Sequence, residues 1–157
     1  MYVFLVLIQV LILNQIQLSG YINPYFYVLF ILLLPATAPP WLVLFASFFI
    51  GITIDIFSNS MGIHAAASVF AGYMRPAVIR VISNHDEEYN DYLGLHQNKF
   101  SWFLLYTSLI VLIHHTALFY LEVFTFTDFF RTFFRMLLSS IFSIFIIVLS
   151  QFIIFRK

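Results

Sequence analysis

Apolar residues fill long runs of this chain, and its polar positions are few and clustered, so the breakers between runs mark the elements more clearly than any amphipathic period does. Read that way, the pattern predicts about six helices, at roughly 1–18, 24–36, 40–57, 62–82, 101–121 and 129–155. The second and third are joined by PATAPP, where Pro35, Pro39 and Pro40 make one continuous helix improbable. They either cross fully or form a re-entrant hairpin. At about 1.5 Å per residue the second reaches only about 20 Å, so tilt alone cannot make it span. It needs a thinned bilayer or burial within the protein.

Composition turns these helices into membrane spans. The 157 residues are 62% hydrophobic and 9% charged, with a mean hydropathy of +0.99, whereas soluble domains carry about 25% charged residues. Several runs approach the roughly 20 residues needed to cross about 30 Å of hydrocarbon. The expectation is an all-α integral membrane protein, with residues 1–157 forming a single transmembrane domain. The opening MYVFLVLIQVLILNQIQL has no basic leader and no small-x-small cleavage site, and is read as a first span rather than a cleaved signal. Seven basic and seven acidic residues balance, which argues against nucleic acid as a partner. Cysteine is absent, which removes disulfides, thiolate metal sites and thiol nucleophiles.

Orientation follows from lysine and arginine near the helix ends. With both termini cytoplasmic, Arg75, Arg80, Lys99, Arg156 and Lys157 lie inside and Arg131 and Arg135 outside, a bias of five to two. The loop 83–100, SNHDEEYNDYLGLHQNKF, is then cytoplasmic. Its charges suit a solvated connector, the reading favoured for most charged runs, or a docking surface for a cytoplasmic partner.

An ionisable side chain deep in a span costs about 2.5–3.5 kcal/mol on insertion scales, so each needs a partner or a purpose. In GITIDIFSNSMG and the residues before it, Ser47, Gly51 and Asp55 share one face of the third helix, a strip of small residues ending in a carboxylate. The fourth helix offers Ala65, Ser68, Ala71 and Gly72 as the matching surface. Asp55 sits near a helix C-terminus, where the macrodipole disfavours it. It either caps the start of the fourth helix at Gly62, Ile63 and His64 or pairs with Arg131 or Arg135. Proton transfer through Asp55 is the sharper and less favoured alternative. Arg80 snorkels to headgroups, while Arg75, deeper, needs an internal partner or lines a groove.

Arg131, Arg135, Ser139, Ser143 and Ser150 form a stripe on the sixth helix, and Ser108, His115 and Glu122 share a face of the fifth. His115 and Glu122 are two turns apart, so each is expected to meet a neighbouring helix. His114 and His115 diverge by about 100°, poor geometry for one metal, and interhelical hydrogen bonds are the plainer expectation for both. No phosphate loop, HExxH, GxSxG or paired carboxylates occur. We expect no catalytic residue, cofactor or metal.

Three stretches, QVLILNQIQLSGYINPYFYVLFILLLP, GITIDIFSNSMGIHAAA and LIHHTALFYLEVFTF, followed by the serine-bearing last helix, carry a resemblance over nearly the whole chain. It resembles the MreD family of bacterial rod shape-determining membrane proteins, in a style similar to the Bacteroidetes branch, with Gly51, Asp55 and Gly62 looking like the family's motif. The resemblance implies a non-enzymatic scaffold of the cell-elongation machinery in the inner membrane. Its partners would be MreC, the polymerase RodA, a class B penicillin-binding transpeptidase and, indirectly, MreB. It also implies a fold similar to the substrate-binding subunits of energy-coupling-factor vitamin transporters, and substrate capture is the alternative function. The predicted outer loops LSGYIN, FSNSMG and EVFTFTD are short for closing a ligand pocket. A lipid-handling enzyme or flippase would need Asp55 or Glu122 to act in chemistry.

Overall fold

The computed structural model describes residues 1–16, 22–83, 91–123 and 128–155. The ends of the expected outer loops and first helix (17–21 and 124–127), most of the acidic loop (84–90), and Arg156 and Lys157 lie outside the described residues. The architecture is helical: α1 (Tyr2–Leu11) with a 3-10 turn at Leu13–Gln15, α2 (Val28–Leu32), α3 (Pro40–Ser58), α4 (Ile63–Ile82), α5 (Phe100–Val123) and α6 (Phe129–Phe155). Four helices, Pro40–Ser58, Ile63–Ile82, Phe100–Val123 and Phe129–Ile154, are long and apolar enough to cross a membrane. Their outward faces are apolar: Phe45, Phe48, Phe49 and Phe57 on α3, and Phe130, Phe134, Ile141, Phe145 and Phe152 on α6, are exposed. That surface suits lipid.

Local chemistry explains the helix ends. Pro40 occupies the first turn of α3 after an extended Pro39, a position where the missing N–H is no loss. At its other end Asn59 turns left-handed (φ 53°), and its amide bonds back to the Asp55 carbonyl. Gly62 is left-handed again at φ 81°, so the chain reverses into α4 within four residues. No atom would obstruct a side chain at Gly62, so glycine is needed there for its backbone alone.

The reversal lays α4 against α3 at backbone distance. A Cβ added to Gly51 would lie 2.5 Å from the Ala65 Cα and 2.6 Å from the His64 carbonyl oxygen. One added to Gly72 would lie 2.5 Å from the Ser47 hydroxyl. The small residues therefore interlock from both sides, and dispersion between close backbones replaces the hydrophobic drive that lipid cannot supply.

The first two segments differ from the sequence-based boundaries. The helix expected over 1–18 is α-helical only to Leu11 and then tightens. It runs beside the second half of α3: the Tyr2 hydroxyl donates to the Phe49 carbonyl at 2.9 Å, and the Asn14 amide to Ser58 Oγ at 3.0 Å. The helix expected over 24–36 contracts to the five residues of α2. Pro24 and Pro35 bound the segment, and the amides of Tyr25 and Phe26 bond to side chains instead of a helical ladder. Val28, Ile31 and Leu32 are nonetheless fully buried, and α2 touches α1, α3, α4 and α5. It is a central plug held within the protein, one of the two arrangements the length argument left open.

Gly51→Ala tests the α3–α4 contact. The added methyl meets backbone that cannot rotate away, so overpacking lowers stability by about 1–3 kcal/mol. Thermal unfolding in detergent reads this loss, and an unchanged midpoint would mean that the helices do not touch there.

Candidate functional site

Backbone that is not helical must find hydrogen-bond partners inside a membrane protein. Segment 22–36 poses this problem, and the polar side chains of the surrounding helices answer it. Gln9 of α1 is fully buried. Its Oε1 accepts from the Phe26 amide at 2.8 Å while its Nε2 donates to the Pro24 carbonyl at 2.9 Å. From α6, Ser139 Oγ accepts from the Asn23 amide at 3.1 Å and Ser143 Oγ from the Tyr25 amide at 2.9 Å. The Tyr106 hydroxyl of α5 donates to the Leu32 carbonyl at 3.2 Å. Arg75 of α4 donates through Nε to Tyr106 Oη at 2.9 Å, and its guanidinium also donates to the carbonyls of Leu34 and Pro35. Ser139, Ser143 and the deep arginine thus share one task, while Ser150 of the same stripe donates to the Ile147 carbonyl of its own helix.

A second cluster joins α3 to α4. Asp55, 2% exposed, accepts from the Ala65 amide at 2.8 Å through Oδ2 and from the His64 amide at 3.1 Å through Oδ1. The Ser60 hydroxyl donates to Oδ1 at 2.6 Å, and His64 Nδ1 stands 3.0 Å from the same oxygen. Of the two arrangements open from the sequence, cap or arginine partner, the carboxylate makes the cap, on the amides of His64 and Ala65 rather than those of Gly62 and Ile63. It complements the positive end of α4 and satisfies two of its orphan amides. Arg135 instead lies 3.7 Å from Glu122 and over the Phe119 ring at 5.2 Å. Glu122 is 43% exposed, so this pair adds little to stability. Arg131 is exposed on α6.

Between these clusters lie aromatic and imidazole rings. The Tyr27 hydroxyl meets His114 Nε2 at 2.8 Å, and His115 Nε2 meets Ser143 Oγ at 3.0 Å. The two histidines reach different partners through Nε2, in the hydrogen bonds to other segments that the sequence suggested, while their Nδ1 atoms approach each other to 3.4 Å. No group of three or more metal-ligating residues occurs among the described residues. Tyr25 packs its ring edge-on to His64 and His115, at 5.6 and 5.2 Å between centroids. Above this core, at the end of the bundle holding Asp55 and Glu122, opens a cavity of about 420 Å³ lined by Asn14, Asn23, Tyr25, Ser60, His64 and Glu122 among others.

Gln9, Ser60, Tyr27 and Tyr106 were missed by sequence reasoning. A lone amide within an apolar run was a usable signal for Gln9. The tyrosines gave none, because one at a span end is equally an interfacial anchor. Compared with models of protein families, with curated proteins and with solved structures, the chain matches none.

Two sets of substitutions test the lattice. Gln9→Leu leaves a buried amide and a buried carbonyl unpaired at once, and should cost about 2–5 kcal/mol. Asp55→Asn keeps one amide partner and loses the other, so its loss should be about half that of Asp55→Ala, itself about 2 kcal/mol. Denaturant or thermal unfolding in detergent gives the order. Wild-type stability in the Gln9→Leu variant, or equal losses for Asp55→Asn and Asp55→Ala, would contradict the assigned bonds.

Proposed function

We propose that the chain is a non-enzymatic scaffold of bacterial cell elongation, related to the MreD family. In that role it binds MreC and, through the complex, RodA and a class B penicillin-binding transpeptidase, with MreB linked indirectly. The observation that carries the non-enzymatic part is the use of the buried polar side chains. Gln9, Asp55, Arg75, Ser139 and Ser143 are each engaged with backbone groups of the chain itself. Side chains held this way supply cohesion, and a rigid bundle with an apolar exterior suits binding to other membrane helices. The rod-complex part rests on the sequence resemblance, including the Gly51, Asp55 and Gly62 motif, whose members here form one close helix contact and its capped turn. In this reading the protein lies in the inner membrane with both termini cytoplasmic. It carries six membrane segments in a fold similar to energy-coupling-factor substrate-binding subunits, the first two shortened and supported by the rest.

Co-purification with MreC from membranes is the direct test. A stable complex in mild detergent is expected, weakened by Gly51→Leu, which forces α3 and α4 apart. Failure to associate both in detergent and in cells would refute the scaffold reading.

Substrate capture is the second reading, and the polar-walled cavity of about 420 Å³ favours it, since small-molecule sites have volumes of about 300–1,000 Å³. Native mass spectrometry of freshly purified protein separates the two: a retained vitamin-sized ligand supports capture, and a ligand-free protein bound to MreC supports the scaffold.

A further inference from the structure

The opposite end of the bundle holds a second recess that neither reading uses. Beyond the contact at Gly72, α3 and α4 part around a groove of about 380 Å³, walled by Ala38, Val43, Leu44, Pro76 and Ile79. Arg75 and Arg80 both line it. Arg75 is 2% exposed, yet its described partners, Tyr106 Oη and the carbonyls of Leu34 and Pro35, are all neutral. Among the described residues, the Asp55–His64 contact and the Glu122–Arg135 ion pair both lie at the other end of the bundle. The groove therefore places an arginine without a described carboxylate partner beside an exposed one, along an apolar wall at a helix end.

A buried cation with only dipolar partners favours an anion nearby. An apolar wall leading away from two guanidiniums suits a ligand with a charged head and a hydrocarbon tail, and basic pockets between membrane helices take anionic lipid headgroups. We propose that this groove is a binding site for one anionic phospholipid. Its phosphate pairs with Arg80 at the mouth and is drawn by the field of Arg75, and an acyl chain lies against Val43, Leu44 and Pro76. Charge complementarity selects the lipid over a zwitterionic one, and the apolar wall selects it over free phosphate. Arginine suits this role because its planar fork reads phosphate bidentately. The site is independent of whether the protein serves a rod complex.

The test uses the full chain, stripped of lipid in a neutral detergent and then given dioleoyl-phosphatidylglycerol or dioleoyl-phosphatidylcholine at equal mole fraction. Native mass spectrometry counts the lipid retained, and the unfolding midpoint gives a second measure. One phosphatidylglycerol should be retained in severalfold preference over phosphatidylcholine, with a matching rise in midpoint. Arg80→Gln, at an exposed position away from the structural lattice, should lower that preference roughly fivefold, the scale of one basic side chain near an anionic surface. Ala38→Trp fills the groove, keeps both charges and should lower retention of both lipids. Equal retention of the two lipids by wild type, or a preference untouched by Arg80→Gln, would overturn the site. So would stabilisation by glycerol 1-phosphate equal to that by phosphatidylglycerol, which would make the ligand a free phosphate ester.

Discussion

The constraint that organises this protein is the buried, largely non-helical backbone of segment 22–36. In water such a segment would bond to solvent; within a membrane bundle each unpaired N–H or C=O costs several kcal/mol. The neighbouring helices therefore carry the missing partners at the heights where the segment passes. Ser139 and Ser143 meet it near the middle of α6, Gln9 meets it from α1, and Tyr106 with Arg75 receives its last carbonyls. In exchange the segment gives the bundle a plug, Val28 to Leu32, that four other helices pack against.

The same logic explains why the polar groups sit where they do and why they are so few. A hydrogen bond in the interior adds about 1 kcal/mol, but an unmet partner costs more, so backbone left without a partner is met by Gln9, Asp55, Arg75, Ser139 and Ser143. Asp55 obeys this rule in a helical setting: the start of α4 leaves amides without acceptors, and a short link through Asn59 and Gly62 brings the carboxylate beneath them. Gly51 then allows α3 and α4 to close to backbone contact one turn away. Cap, turn and close approach are mutually dependent, since a larger residue at 51 would lift the α4 amides off Asp55.

Much of the fold was legible because hydrocarbon imposes simple rules. Four of the predicted helices, 40–57, 62–82, 101–121 and 129–155, lie within two residues of α3 to α6 at each end. The small-residue strip on α3 could be read from fourfold spacing, and its matching surface on α4 from the cluster of small residues Ala65, Ser68, Ala71 and Gly72. What could not be read was the state of segment 24–36, whose apolar run is the same for a spanning helix and for an extended plug. The difference lies in donors and acceptors on other helices, far away in sequence: Ser143 stands 118 residues from Tyr25. Likewise Ser139 and Ser143 were recognisable as an inward stripe, but not what they faced. His114 and His115 diverge in a helical projection, but their partners, Tyr27 and Ser143, lie far off in sequence and could not be read from it.

The two ends of the bundle end up chemically different for a reason rooted in this arrangement. Near the α3–α4 turn the carboxylates Asp55 and Glu122 each have a dipole or an opposite charge against them, the α4 amides in one case and the Arg135 guanidinium in the other. That end can hold water and polar solutes in its cavity without leaving either ion unmet. At the other end Arg75 must reach inward, because the carbonyls of Leu34 and Pro35 terminate the plug where no helix continues to receive them. A neutral donor could close one such bond, but only a guanidinium offers five N–H groups in a rigid fork able to gather Tyr106 and two successive carbonyls at once. The fork brings a full positive charge with it. Solving the backbone problem thus creates a cationic spot beside an apolar groove, and the exposed Arg80 reinforces it, so the structural solution at this end prepares a surface that favours anions.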